Sequence, residues 1–152
     1  MPTLIGSNDD EVPGADPGAA ITALVFTCPA ALSTAYRAPF LPTWQYRYFG
    51  SFPTGNPNFT SPGAFHTAEL PQVFGNYNRT TATLAQRESS QYIQSAWAAF
   101  AKNPTTGLAR LGWPTYKRGA NTLVRLSYDN VPGATFADPA VYERPCSGLP
   151  AA

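Results

Sequence analysis

The chain has 152 residues, of which 43% are hydrophobic and 13% aromatic. That is one domain of ordinary size with enough apolar material for a core, and it excludes a disordered chain. Ten basic and nine acidic residues leave a formal net charge of +1 and are scattered along the sequence, which excludes a dedicated nucleic-acid or anionic-membrane binder.

Met1-Pro2-Thr3-Leu4-Ile5-Gly6 has neither a basic leader nor a long apolar run, so no signal peptide and no membrane span is expected. Thr3-Leu4-Ile5 reads as a short buried strand ending at Gly6. It opens into Ser7-Asn8-Asp9-Asp10-Glu11, a turn-rich loop whose three consecutive acids read, by themselves, as a solvated loop or a helix start. Residues 12–20 (VPGADPGAA) read as a linker.

Residues 28–38 form a helix by their apolar spacing at Ala31, Leu32, Ala35 and Tyr36, and Pro39 and Pro42 stop it. Thr43-Trp44-Gln45-Tyr46-Arg47-Tyr48-Phe49 carries the strongest strand signal, with Trp44, Tyr46 and Tyr48 on one face and Gln45 and Arg47 on the other. A breaker-rich loop over 50–62 leads into residues 63–75 (GAFHTAELPQVFG), which hold the single histidine, His66. No other side chain type has an ordinary pKa that lets it exchange a proton near neutral pH. Gly63 is expected to turn the backbone ahead of the imidazole, and Pro71 to limit any helix after it.

Thr83-Leu84-Ala85-Gln86 is a capping box ahead of the best helix, in which Ile93, Ala96, Trp97, Phe100 and Ala101 recur at helical spacing until Lys102-Asn103-Pro104. Trp113-Pro114-Thr115-Tyr116 reads as a turn, Leu123-Val124-Arg125-Leu126 as a last strand, and the tail from Val131 as loop. Cys28 and Cys146 allow one disulfide, which would suit an oxidising compartment, and Asn58 and Asn78 open N-x-T glycosylation triplets. One histidine and two distant cysteines make no zinc spacing, and there is no phosphate-binding glycine loop, so neither a metal nor a cofactor is expected.

The pattern G-x-x-H-x-x-E-L-x-x-V-F-G at 63–75 closely resembles the histidine loop of the type B carboxylesterases, the cholinesterase-like branch of the α/β-hydrolases. L-I-G-S-N-D-D-E at 4–11 resembles that family's G-x-N-x-D-E stretch, with Val12 where the family usually has glycine. Q-x-A-W-x-x-F-A-x-x-P at 94–104 resembles its C-terminal helix. The likeness runs in blocks at 2–11, 26–49, 63–75, 84–104 and 113–128. It implies an α/β class, as an incomplete C-terminal portion of an α/β-hydrolase: the last strands of the sheet plus their helices. It implies His66 as general base and Glu11 as the acid that orients it, in a Ser–Glu–His triad acting on a small-molecule carboxylic ester. It further implies a Cys28–Cys146 disulfide, a secreted parent protein, and residues 12–20 as a linker where the family has helices.

The nucleophile is missing from this picture. In α/β-hydrolases the serine precedes acid and histidine on a G-x-S-x-G turn, and the sequence contains no such motif and no oxyanion loop. Whether the chain acts as an enzyme is therefore open. The reading is a C-terminal segment, residues 1–152, of a secreted serine esterase. The alternatives are a non-catalytic cholinesterase-like interaction protein and a small disulfide-stapled secreted binding module.

Overall fold

The computed structural model describes residues 1–14, 17–53 and 63–146. In chain order the elements are β1 (Thr3–Asn8), α1 (Gly18–Arg37), β2 (Thr43–Tyr48), α2 (Leu70–Phe74), α3 (Leu84–Lys102), α4 (Gly107–Arg110), β3 (Leu123–Leu126) and β4 (Ala134–Ala137), with short 3-10 turns in between. The strands form one four-stranded sheet in the order β1-β2-β3-β4. The first three are parallel and β4 is antiparallel, so the class is mixed α/β with helical crossovers, as expected.

Strand β2 is central and covered on both faces, and its period of two explains how. Trp44 and Tyr46 point toward α3, where edge-to-face contacts join Trp44 to Phe100 at 6.1 Å and Tyr46 to Trp97 at 5.1 Å. Gln45 and Arg47 point to the opposite face, toward α1 and the C-terminal tail: Gln45 Nε2 donates to Glu143 Oε1 at 2.9 Å. Trp44, Tyr48, Phe65, Ile93, Leu108, Trp113, Val124 and Leu126 make the core between sheet and helices. Gly6 stands beside Tyr46 in the register, and a Cβ there would lie 2.4 Å from the tyrosine ring, so only glycine lets that ring lie across the strand.

Several local expectations are corrected. The helix expected from Cys28 begins at Gly18, inside the stretch read as linker, and runs through a wider π-type turn at Thr22–Thr27. That turn has a physical cause in Pro29: it has no N–H to give, and in a regular helix its ring would meet the carbonyl four residues back. With the added turns, α1 becomes long and apolar enough to cross a membrane, where the sequence reading expected no such helix. Here it lies against β1 and β2, burying Cys28, Ala31 and Thr34. Pro71 starts a helix where it was expected to limit one, sitting in the first turn of α2, where a missing N–H costs nothing. Gly75, left-handed at φ 66°, ends that helix instead. The tail read as loop contributes β4 and closes the sheet edge beside β3. Thr83 caps α3 by accepting from the Gln86 N–H at 3.1 Å, but the Gln86 side chain donates to the Pro53 carbonyl, so the box is half made.

Cys28 and Cys146 form a disulfide across a separation of 118 residues, pinning the tail to α1. Constraining a loop of that size stabilises a fold by about 4–5 kcal/mol on the chain-entropy account. The reduced and alkylated chain should therefore unfold at a clearly lower urea concentration than the oxidised one. An unchanged midpoint would show that the bridge carries no stability.

Tyr46 and Tyr48 are both pushed above the ordinary tyrosine value of 10.0, chiefly by burial, then by Glu69, with Glu11 adding to Tyr46. A raised folded-state pKa means the fold favours the neutral phenol. The stabilisation is whole below pH 10.0 and is lost as pH climbs above it, because the unfolded chain gives up those protons first. In a spectrophotometric alkaline titration, these tyrosinates should form only as the circular dichroism of the fold is lost. Their ionisation at ordinary tyrosine pH in an intact fold would contradict this.

Candidate active site

The acid stretch leaves the C-terminal end of β1, the end of a parallel strand where α/β sheets place their functional loops. Asn8, its last residue, is buried, and Glu11 three residues on is buried as well. The histidine loop starts from the core: Ala64, Phe65 and Ala68 are buried, and His66 between them is pushed outward. Thr67 follows at φ 73°, an unusual conformation for a β-branched residue and one that turns the chain straight after the imidazole.

The two loops are joined by backbone and side chain. The Asp10 N–H donates to the Ala64 carbonyl, and the His66 N–H donates to the Glu11 carbonyl, both at 3.0 Å. His66 Nδ1 then lies 2.8 Å from Glu11 Oε2, while Glu11 Oε1 accepts the Asn8 N–H at 2.7 Å. An ionised carboxylate can only accept, so the shared proton sits on Nδ1, and in the neutral ring Nε2 then keeps its lone pair. The exposures are unequal. The Glu11 side chain is 5% exposed and the His66 side chain 59%, so the carboxylate is held inside and the imidazole presents its far edge outward. Phe26, carried on the wide turn of α1, lies against that ring with centroids 5.0 Å apart.

The neighbouring acids are accounted for separately. Arg47 Nε donates to Asp9 Oδ1 at 2.8 Å and Nη2 to the Asp9 carbonyl at 2.9 Å, while Nη1 reaches Thr27 Oγ1 at 3.2 Å. One guanidinium thus ties the acid loop to β2 and α1 and neutralises the charge next to Asp10 and Glu11. Tyr142 lies under that guanidinium at 5.2 Å. Glu69, three residues after His66, accepts from Asn8 Nδ2 at 2.6 Å.

Both residues singled out from the sequence, Glu11 and His66, are therefore in direct contact across 55 positions of chain. Of the other assigned positions, Cys28 and Cys146 are joined and Asn78 is exposed; Asn58 lies outside the described residues. Sequence reasoning missed Asn8, Arg47, Glu69 and Phe26 as supports. Asn8 and Glu69 stood inside the two motifs without a role, and Arg47 was a lone charge in an aromatic strand, a signal that could have been pursued. Among the described residues no group of histidine, cysteine or carboxylate side chains could hold a metal ion.

No protein-family model matches the chain. It is 40% identical over 91 residues to secreted lipase 5 of Gibberella zeae, matching 58% of this chain and 17% of that one. It is 32% identical over 102 residues to the para-nitrobenzyl esterase of Bacillus subtilis, and 30% identical over 122 residues to the chlorogenic acid esterase of Aspergillus niger. Those matches cover 63% and 68% of this chain, but only 20% and 24% of the relatives. So the chain spans about a fifth of the length of these curated relatives. In structure it superposes on a PNB esterase with a TM-score of 0.73 at 24% identity, covering 95% of this chain and 37% of the other. A further PNB esterase structure gives a TM-score of 0.63 at 27% identity over 84% of the chain and 26% of that structure. The chain is thus homologous to part of these esterases and carries part of an α/β-hydrolase fold, in keeping with its resemblance to the type B carboxylesterases.

Proposed function

We propose that this chain supplies the acid and the base of a serine carboxylic-ester hydrolase, with Glu11 orienting His66 and His66 Nε2 taking the nucleophile's proton. The observation that carries this is the 2.8 Å contact between His66 Nδ1 and the buried Glu11 carboxylate. A buried carboxylate holds the ring in one tautomer and stabilises the imidazolium that forms when it accepts a proton. The exposed outer edge of the ring is where a serine hydroxyl would approach. That serine and its oxyanion donors belong to a segment outside these 152 residues, since the sequence has no G-x-S-x-G turn.

On this reading residues 1–152 are the C-terminal segment of a type B carboxylesterase domain, with a short connection after Glu11 where longer family members place helices. The substrate is a small-molecule carboxylic ester, in keeping with the esterases among its relatives. The parent protein is secreted: one relative is named a secreted lipase, and a disulfide fits an oxidising compartment. Asn78 is exposed in its N-x-T triplet and would carry a glycan there, and Asn58 is a second candidate.

The chain alone should hydrolyse a nitrophenyl ester only at the unsaturable background of an exposed imidazole, because no nucleophile is activated. Substituted for the matching segment of the para-nitrobenzyl esterase, it should give saturable hydrolysis. In that chimera His66→Ala should lower kcat by about 10⁶ and Glu11→Gln by about 10⁴, the losses known for the corresponding members of serine triads. Saturable hydrolysis by the chain alone that both substitutions abolish would reveal a nucleophile within it. A folded, active chimera indifferent to both substitutions would overturn the assignment.

A further inference from the structure

Asn8 makes two hydrogen bonds between the two loops, as many as either member of the acid–base pair, and a third to Glu11 within its own loop. It is only 2% exposed, although its side chain is a primary amide with two N–H donors and an acceptor oxygen. Both donors are used across the chain: Nδ2 donates to the Phe65 carbonyl at 2.7 Å and to Glu69 Oε2 at 2.6 Å. These partners are both acceptors, so the orientation of the amide is chemically determined, since its oxygen could bond neither. They also bracket the base, one being the carbonyl just before His66 and the other a carboxylate three residues after it. From the same residue the backbone N–H donates to Glu11 Oε1 at 2.7 Å.

We infer that Asn8 is a positioning residue that sets the register of Glu11 on His66, its backbone holding the acid and its side chain holding both ends of the base loop. This rests on the reading of Glu11 and His66 as the acid–base pair. The physical reason is that no regular element carries the base loop at His66. The backbone there is a turn with Thr67 in a strained conformation, so its position depends on what it is bonded to. Asn8 ends β1, and β1 is held along its length by β2, so the amide transmits the rigidity of the sheet to a loop that has none of its own. The bond to Glu69 is charge-assisted and buried on the Asn8 side, the kind whose loss costs most. Other links persist without it: Asp10 N–H to Ala64 and His66 N–H to Glu11 keep the loops together. Loss of the Asn8 side chain should therefore loosen the alignment without separating the loops.

The test uses the whole chain, in which His66 is the sole histidine and its imidazole signals need no assignment. Nitrogen-15 NMR of the neutral ring reports the ratio of the Nδ1–H to the Nε2–H tautomer. In the parent chain Nδ1–H should dominate, and Glu11→Gln should remove that preference. Asn8→Asp preserves shape and the backbone N–H but cannot donate from its side chain, and it sets a carboxylate against Glu69. It should lower the ratio by about tenfold, the equivalent of one hydrogen bond to a charged group, while the amide spectrum of β2 and α3 stays in place. Adding Glu69→Gln returns a donor across the same contact and should recover part of the loss. Glu69→Ala alone should lower the ratio by a smaller factor, and it decides the matter if Asn8→Asp does not fold. A parent chain without the Nδ1–H preference, or one indifferent to Glu11→Gln, overturns the acid–base reading and this inference with it. A parent that behaves as stated, beside an Asn8→Asp variant (or, if that is unfolded, Glu69→Ala) with an unaltered ratio, overturns the role of Asn8 alone.

Discussion

The burial of β2 on both faces is the constraint on which the rest of the molecule depends. On one side Trp44 and Tyr46 are covered by α3; on the other Arg47 reaches Thr27 of α1 and Asp9 of the acid loop. A strand so enclosed cannot slide by one residue without turning its polar set, Gln45 and Arg47, into the aromatic core. Its pairing with β1 is thereby held in register, and that register delivers the acid loop to the end of the sheet. The Tyr48 carbonyl accepts the Asp9 N–H at 2.9 Å, so the first residue beyond β1 is still governed by β2.

The site uses that rigidity to keep an asymmetric pair. A carboxylate inside the protein is costly unless its oxygens are bonded, and Glu11 has both bonded, one to the Asn8 N–H and one to the imidazole. The imidazole could have been buried equally; it is left mostly exposed, so its outer nitrogen remains available for chemistry. Three adjacent acids would repel one another if all faced one way. Asp9 turns to Arg47, Glu11 turns to His66, and Asp10 stays at the surface. Each carboxylate thus has a different environment, which is how residues of one chemical type acquire different roles.

The regular elements were legible where one physical rule dominated. Alternation identified β2, and the Thr83 cap with helical spacing identified α3. Elsewhere two rules competed. The helix was read from Cys28 with residues 12–20 as linker, yet a π-type turn absorbs Pro29 and extends α1 back to Gly18. Pro71 was read as a stop and served as a start, since the same missing N–H suits the first turn of a helix. β4 has exposed residues at its centre and little apolar alternation, so nothing in its own residues distinguishes it from loop. It is a strand because β3 offers it an edge.

The sequence itself narrowed the candidates for the site: it offers a single histidine and one acidic motif, and their surroundings resemble one family of hydrolases. The sequence allowed one disulfide and the resemblance implied it, and the structure joins Cys28 to Cys146. What only the tertiary structure decided is how those groups are held. Asn8, Arg47, Glu69 and Phe26 act across gaps of chain that no local spacing encodes, through hydrogen bonds and contacts that exist only after β1 and β2 have paired. The physical reason is that a side chain's partner is set by direction and distance in space, whereas periodicity reports only which face of its own element a residue occupies.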